Sequence, residues 1–219
     1  MTDQQSIGSK LSPKIERIHQ GDFREISGLL RSSIPNALVS HLGLQFGSAY
    51  YAAIVAQPES FGFVARDAQG SVVGVIIGSL DALLRKRFLT LSQIVTLILA
   101  ANVRLARPAL VWWMLQGVKA RLANLGNWGS DKAKSLDRPR PELLAVAVSA
   151  EYKGSGLAGK LVCHFEEVLR ANGSASRTYC IHTEASNHAA NRFYCRIGAE
   201  LALTIKHHGK EINQWQKRL

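Results

Sequence analysis

The stretch "YKGSGLAGKL", residues 152–161, decides how the rest of the sequence is interpreted. It holds glycines at 154, 156 and 159, which let the backbone come close to a ligand, and a helical apolar pattern follows them. Backbone N–H groups at the start of a helix bind anions, because the helix dipole is positive there. The sequence therefore predicts an anion-binding turn between a strand and a helix.

Two nucleotide-binding patterns fit this turn only in part. Gly154, Gly159 and Lys160 match a Walker A loop, but Leu161 stands where Ser or Thr should bind Mg²⁺. The three glycines also match the dinucleotide pattern G-x-G-x-x-G. That pattern needs an acidic residue about 20 positions later, and "NGSASRT" (172–178) contains none. Both patterns, and a glycine-rich turn without a ligand, stay as minor alternatives.

The sequence around the turn alternates between strand and helix patterns. "ELLAVAVS" before the turn and "RTYCIHTE" after its helix predict strands. "NHAANRFYCRIG" predicts a helix that ends at Gly198, and the helix of the turn itself is expected to end at Gly173. "AELALTIKHH" and "EINQWQKRL" predict a final hairpin around Gly209.

The first eighty residues predict a smaller set of elements. "PKIERIH" (13–19) is a short strand, and a helix runs from Gly21-Asp22 to about Arg31. A single helix is expected from Pro35-Asn36 through "PNALVSHLGLQFGSAYYAAIVAQ". "FGFVARD" and "SVVGVIIGSL" predict an antiparallel hairpin.

Residues 82–140 differ in composition from the rest. Residues 82–130 contain no Asp or Glu, and their apolar run "FLTLSQIVTLILAA" is shorter than the roughly 20 residues that span a bilayer. We expect two helices broken near Pro108, then an exposed loop over 126–141. The basic helices at 82–124 could contact an anionic membrane surface, but packing on their own domain or in a homodimer is the favoured interpretation.

Composition predicts one domain. The chain has 219 residues, is 47% hydrophobic and carries a formal net charge of +11, which suits an anionic partner such as a nucleotide cofactor, nucleic acid or acidic membrane. The polar composition of residues 1–12 predicts a flexible tail that is not a signal peptide. Residues 13–219 are expected to form the single domain. Cys163, Cys180 and Cys195 form no C-x-x-C pair, so we expect a reducing cytoplasm and no metal site.

Two motifs together resemble the GNAT (GCN5-related N-acetyltransferase) superfamily. Lys153-Gly154-Ser155-Gly156-Leu157-Ala158 is similar to its pyrophosphate loop, Gln/Arg-x-x-Gly-x-Gly/Ala, with Lys in the first position. "CIHTEASNHAANRFYCRIGAE" is similar to its next motif. The resemblance covers 142–208 well and 14–80 loosely, with 82–140 outside the family core. It implies an α/β (α+β) GNAT fold, a mixed and mostly antiparallel sheet flanked by helices on both faces.

The resemblance also implies roles for individual residues. Asn187 would hydrogen-bond the pantetheine of acetyl-CoA, and Tyr194 would protonate the departing thiolate. Glu142 would deprotonate the amine, with Glu184 and Asp81 as further candidates. Backbone groups of a bulged strand, at Val146 and Val148, would pair with the pantetheine, where this strand diverges from the strand at 177–184. The pyrophosphate would be bound by the turn, that is by Lys153, Gly154, Ser155, Gly156, Leu157, Ala158 and Gly159.

Each of these residues also has a purely structural interpretation. Tyr194 could pack in the core beside Phe193, Asn187 could cap a helix, and the valines could be core residues. Glu142 could be a solvated strand end. Strand alternation would place Glu142 on the same side as Val146 and Val148, which is the cofactor side.

The expected function is acetyl transfer from acetyl-CoA to a small-molecule or peptide amine, directly and in a ternary complex, without a metal. Residues 30–58 and 82–140 are expected to shape the acceptor site, and the positive charge disfavours a polycationic acceptor. The alternatives are a CoA-binding non-catalytic or regulatory protein, and a basic protein that binds nucleic acid or a membrane surface. Trp112 and Trp113 sit among apolar neighbours, which argues against base stacking.

Overall fold

The computed structural model describes residues 12–35, 38–81, 140–172, 177–207 and 209–219. Residues 1–11 of the expected tail and 82–139 of the expected insertion lie outside the described residues, as does the helix end expected at Gly173. The division into tail, domain and insertion therefore stays a prediction.

In the part of the chain that the structure describes, seven strands form one sheet in the order β1-β2-β3-β4-β5-β7-β6. Neighbouring strands pair antiparallel except β4 and β5, which pair parallel. This confirms the mixed, mostly antiparallel sheet. The strands are β1 (Lys14–Arg17), β2 (Ser60–Arg66), β3 (Val72–Ser79), β4 (Glu142–Val148), β5 (Thr178–Glu184), β6 (Glu200–His207) and β7 (Lys210–Arg218).

Five α-helices accompany the sheet in the described residues: α1 (Phe23–Ser33), α2 (Leu38–Leu42), α3 (Leu44–Val55), α4 (Leu157–Ala171) and α5 (His188–Arg196). The prediction of a single helix from Pro35 onward is wrong, because the helix is interrupted at Gly43, between α2 and α3. Gly43 has a φ of 98°, which is left-handed backbone that a helix cannot contain and that glycine adopts at little cost.

Helices cover both faces of the sheet. On one face, Leu161 and Phe165 of α4 and Tyr194 of α5 pack with Tyr179 and Trp215 of the sheet. On the other face, the apolar side of α1 packs on β3 and β4, in an apolar cluster (the α1 cluster) that also contains Val64 of β2 and Ile54 of α3. The first face needs Gly78, because a Cβ there would lie 2.2 Å from the Phe165 ring. A glycine in β3 thus lets α4 lie close against the sheet.

Strand β4 contains a bulge at Leu144. In its pairing with β3, Ala145 lies opposite Ile77 and Leu143 lies opposite Gly78, so Leu144 is an extra residue. Leu144 and Ala145 consequently both pack with the α1 cluster. The bulge expected for this strand is present, one residue before "AVAVS".

The bulge changes which side chains share a face. Val146 and Val148 pack with the α4 cluster, as Leu143 does. Ser79 is two residues after Ile77 of the α1 cluster, so both side chains lie on the α1 face of β3. Glu142 is the Cα partner of Ser79 and therefore points to the same face. The expectation that Glu142 shares a side with Val146 and Val148 is therefore wrong, because the extra residue shifts the alternation by one.

Candidate active site

The sheet opens between its two parallel strands. β4 and β5 pair at Glu142 with Cys180 and at Leu143 with Ile181, and over the rest of these two described strands no further pairs form between them. β4 continues to Val148 along β3, while β5 continues to Glu184 along β7. The opening leaves the edge of β4 at Val146 and Val148 without a strand partner on the β5 side, which is where the sequence predicted pantetheine to bind.

The glycine turn lies at the far end of β4. A single 3₁₀ turn (Ala150–Tyr152) follows the strand, and α4 begins at Leu157 after Gly156 as its N-cap. Gly154 and Gly156 have φ values of 82° and 81°, and a Cβ at either would meet nothing within 4 Å. These two glycines are needed for their backbone conformation rather than for space inside the protein.

Part of the turn's hydrogen-bonding capacity is used internally. The Ser155 N–H donates to the Tyr152 carbonyl at 3.2 Å, and the Ser155 hydroxyl donates to the same carbonyl at 2.7 Å. The Leu157 N–H donates to the Ser155 hydroxyl oxygen at 3.3 Å. Ala158 and Gly159 lie in the first turn of α4, whose N–H groups have no acceptor within the helix. The first turn of α4, flanked by the exposed Lys153 and Lys160, can therefore hold an anion.

Asn187 and Tyr194 both have structural roles. The Asn187 side chain accepts a hydrogen bond from the Ala190 N–H at 3.1 Å, so it caps α5. Tyr194 is only 6% exposed, with its ring centroid 5.6 Å from that of Phe193 and 6.3 Å from that of Trp215. Burial raises the pKa of Tyr194 to about 12, so its phenol stays protonated at neutral pH. A protonated phenol can act as an acid.

Asn191 is a residue whose importance the sequence did not reveal. Its amide NH₂ donates to the carbonyls of Glu184 (3.1 Å) and Ala185 (3.0 Å). Its amide oxygen accepts from Asn213 Nδ2 at 3.1 Å and from Trp215 Nε1 at 3.2 Å. Asn191 thus fixes α5, and with it Tyr194, to β7 and to the end of β5. Only the fold brings Asn191 to Asn213 and Trp215, which are 22 and 24 residues away in sequence.

Glu142 is not a solvated strand end. It is 2% exposed, and its Oε1 lies 2.7 Å from Nδ1 of His182 on β5. His182 was not among the site residues predicted from the sequence. The position of His182 in β5 could have indicated it. His182 is two residues after Cys180 and so lies on the same face of the strand, and Cys180 is the parallel partner of Glu142.

Cys180 lies on the same face, next to Glu142. Burial, and secondly the Glu142 charge, raise the pKa of its thiol to about 11. The thiol is therefore protonated at neutral pH, and a protonated thiol is a poor nucleophile. Cys163, Cys180 and Cys195 are all free cysteines.

A cavity of about 580 Å³ lies at the end of β5. Glu184, which pairs with Lys210 at 2.5 Å, forms part of its wall. The other lining residues are His41, Ala185, Ser186 and Glu211. His41 belongs to the segment expected to shape an acceptor site, whereas the remaining lining comes from β5, β7 and the loop after β5.

These features, a split between parallel strands next to a glycine turn and a buried tyrosine, fit a known family. The sequence model of the Acetyltransferase (GNAT) family matches residues 31–199, which is more than half of the chain. The chain belongs to the GNAT acetyltransferase family. Both the resemblance found in the sequence and the GNAT fold that it implied are confirmed.

Solved structures support the fold of this GNAT protein. An N-acetyltransferase from Staphylococcus aureus is 15% identical with a TM-score of 0.57, over 94% of this chain and 97% of that one. Naa20 from Chaetomium thermophilum, in complex with a bisubstrate analogue, is 16% identical with a TM-score of 0.56, over 94% and 86%. A histone acetyltransferase HPA2 and related acetyltransferase from Corynebacterium glutamicum is 18% identical with a TM-score of 0.54, over 95% and 97%. No curated protein matches the chain.

Neither a membrane span nor a metal site is found within the described residues. None of the helices placed there is long and apolar enough to cross a membrane. The same part of the chain contains no group of three or more His, Cys, Asp or Glu side chains arranged to hold a metal ion.

Proposed function

We propose that this GNAT protein transfers an acetyl group from acetyl-CoA to an amine of a small molecule or peptide. The observation that carries the proposal is the opening between β4 and β5, which runs from the buried Glu142 to the glycine turn of α4. An extended ligand in this opening would have its anionic end at the helix N-terminus and its other end near the polar residues on β4 and β5.

The turn and the open strand edge would bind the cofactor. The N–H groups of the first turn of α4 would hold the pyrophosphate, with Lys153 adding positive charge. Backbone groups of Val146 and Val148 would hydrogen-bond to the pantetheine amides, so the pantetheine would take the place of a neighbouring strand. Asn187 would add a hydrogen bond to the pantetheine from the start of α5.

The reaction would be a direct transfer in a ternary complex. The amine nitrogen forms a bond to the thioester carbonyl carbon, and the bond from that carbon to sulfur breaks. Tyr194 gives its phenolic proton to the departing thiolate, and its raised pKa means that this proton is present on the phenol at neutral pH when the thiolate leaves. The amine loses one proton to a base on the Glu142 side of the opening. One proton leaves the amine and one reaches the thiolate, so the reaction balances once that base has lost its proton to solvent and Tyr194 has regained one from solvent.

An acyl-cysteine route has less support. Cys180 is the cysteine that lies at the opening, and its raised pKa keeps it in the thiol form. A nucleophilic cysteine needs a lowered pKa or an adjacent base that takes its proton. We therefore propose direct transfer. The three free thiols also fit a reducing compartment, and we propose that the protein acts in the cytoplasm.

Calorimetric titration with acetyl-CoA tests the proposal, with ATP–Mg²⁺ and NADH as controls for the two other glycine-loop patterns. We expect saturable binding of acetyl-CoA alone, followed by CoA release when an amine panel of arylalkylamines, amino acids and lysine peptides is added. Binding of either control in place of acetyl-CoA would overturn the proposal. Binding without CoA release on any amine would indicate a CoA-binding regulatory protein.

A further inference from the structure

Glu142 and His182 form a hydrogen-bonded pair in which the two side chains differ in their exposure to solvent. The Glu142 side chain is 3% exposed and that of His182 is 18% exposed, while Glu142 Oε1 and His182 Nδ1 lie 2.7 Å apart. A substrate approaching from the α1 face of the sheet would therefore reach the imidazole more easily than the carboxylate. A buried carboxylate that contacts an imidazole is poorly placed to take a proton from a substrate itself.

We infer that His182 is the group that accepts the amine proton, and that Glu142 is a positioning residue that acts through it. This inference rests on the proposed acetyl transfer and names the proton acceptor for it. The resemblance implied that Glu142 is the base, and in its place we assign Glu142 a role in which it never contacts the substrate.

The hydrogen-bond geometry assigns the imidazole tautomer. An ionised carboxylate can only accept hydrogen bonds, so the Nδ1 atom that faces Glu142 must carry a hydrogen. In a neutral imidazole, Nε2 is then unprotonated and presents its lone pair. The N–H bond of the attacking amine breaks, its proton moves to Nε2, and the Glu142 charge stabilises the imidazolium that forms.

The position of His182 in the fold suits this role. It is the first residue of β5 after Ile181, where pairing with β4 stops. Glu184, two residues further along the strand, shares the face of His182 and lines the cavity described above. An acceptor seated in that cavity would therefore lie beside β5, two residues along the strand from His182.

The charges around His182 come from three strands and one helix. β5 contributes Cys180 and Glu184, β4 contributes Glu142, and β7 places the uncharged Gln214 opposite His182. The other titratable or charged groups nearby are Arg140, which lies close enough to Cys180 to affect its pKa, Lys210 in its pair with Glu184, and His41 of α2 at the cavity. Among these groups, the one in hydrogen-bond contact with the imidazole is Glu142.

The first experiment reads the tautomer directly. Histidine labelled with ¹⁵N is incorporated into the full chain, and the His182 signal is assigned by its loss in His182→Asn. The spectra are recorded at a pH high enough for the imidazole to be neutral, where we expect hydrogen on Nδ1 and none on Nε2, both without ligand and with CoA bound. In Glu142→Gln the amide can donate to Nδ1, so the Nε2–H tautomer should increase. Hydrogen on Nε2 in the wild-type protein would overturn the inference, whether or not the enzyme turns over.

The second experiment measures catalysis with hydroxylamine as a small acceptor, by acetohydroxamate formation from acetyl-CoA. Asparagine can keep the donor to Glu142 but has no base, so His182→Asn should lower kcat by about 100- to 10,000-fold with acetyl-CoA binding unchanged. His182→Gln serves as a second variant if His182→Asn folds poorly. His164→Asn on α4, where the ring packs on Phe63, is the matched control and should keep wild-type activity.

The pH profile separates a base from a structural histidine. Wild-type kcat/KM should fall as pH falls, because protonated His182 cannot accept a proton, and this acid limb should be absent in His182→Asn. Added imidazole should restore part of the lost rate. Full activity of both His182 variants would overturn the inference while leaving the proposed acetyl transfer intact. No wild-type turnover and no acetyl-CoA binding would instead overturn the proposed function.

Discussion

Glu142 and Cys180 lie directly opposite each other in the parallel pairing of β4 and β5, and one residue later Leu143 and Ile181 form the final pair. The sheet opens immediately beyond these two pairs. The buried carboxylate and its His182 partner therefore lie at the closed end of the opening, and the glycine turn lies at the other end of β4. Both ends can be tested separately by mutation.

Tyr194→Phe tests the proposed role of Tyr194 as the general acid. The ring packing on Trp215 remains, so we expect acetyl-CoA affinity within about twofold of wild type while kcat falls by about 100-fold or more. Because the raised pKa keeps the wild-type phenol protonated below about pH 12, Tyr194 should cause no loss of rate between pH 6 and 9. Steady-state kinetics and calorimetry check both points.

Tyr179→Phe is the matched control for Tyr194. The Tyr179 hydroxyl donates to the buried, ion-paired carboxylate of Glu166 at 2.8 Å, so its loss should lower the free energy of unfolding by about 1.5–3 kcal/mol. Its kcat should stay at the wild-type value. Equal kcat losses in the two variants would mean that Tyr194 acts only through packing.

Gly156→Glu tests the anion site. Its left-handed backbone and its new charge should abolish acetyl-CoA binding in calorimetry, since the carboxylate would face the pyrophosphate at the start of α4. Gly70→Glu provides the control, because Gly70 has a φ of 82° with nothing within 4 Å, in the turn between β2 and β3. Both variants should lose similar stability, but Gly70→Glu should bind acetyl-CoA normally. Retained binding in Gly156→Glu would exclude the turn as the pyrophosphate site.

Cys180→Ala tests direct transfer. The thiol is protonated at neutral pH, so its removal should change kcat by less than about threefold, and intact-mass spectrometry after acetyl-CoA addition should detect no acetylated protein. An acetylated intermediate in the wild type that disappears in Cys180→Ala would establish an acyl-cysteine route instead.

Gly78→Ala tests how closely α4 approaches the sheet. A Cβ at Gly78 would lie 2.2 Å from Phe165 Cε2, so we expect a loss of about 1–3 kcal/mol in the free energy of unfolding. Gly28→Ala in α1 is the control, because its Cβ would meet only Leu44 at 3.8 Å and should stabilise the helix by up to about 1 kcal/mol. Urea denaturation measures both, and equal stabilities would contradict the close contact of α4 with β3.

The sequence predicted most of the fold because its turns are marked by glycines. The turns at Gly198 and Gly209 adopt the positive φ values that glycine favours, with strands and helices beginning where the patterns changed. The break at Gly43 was missed, because the apolar spacing continues through it and a glycine inside a helical pattern does not by itself signal an end.

The candidate site was predicted less completely, for a geometric reason. The glycine turn and the Asn187 cap depend on neighbours in sequence, so local patterns reveal them. The contact of Glu142 with His182 joins residues 40 positions apart on two strands. The face on which Glu142 lies depends on the bulge at Leu144, and simple alternation cannot predict an inserted residue.

The bulge at Leu144 divides β4 into two parts that can change independently. Before it, Glu142 belongs to the face of α1, and after it the side chains of Val146 and Val148 belong to the face of α4. In the proposed mechanism, substitutions at Glu142 would therefore alter proton removal without changing the side chains beside the expected pantetheine path. Directed evolution of this protein could therefore vary proton removal at one end of the strand while the side chains along the expected cofactor path at the other end are kept.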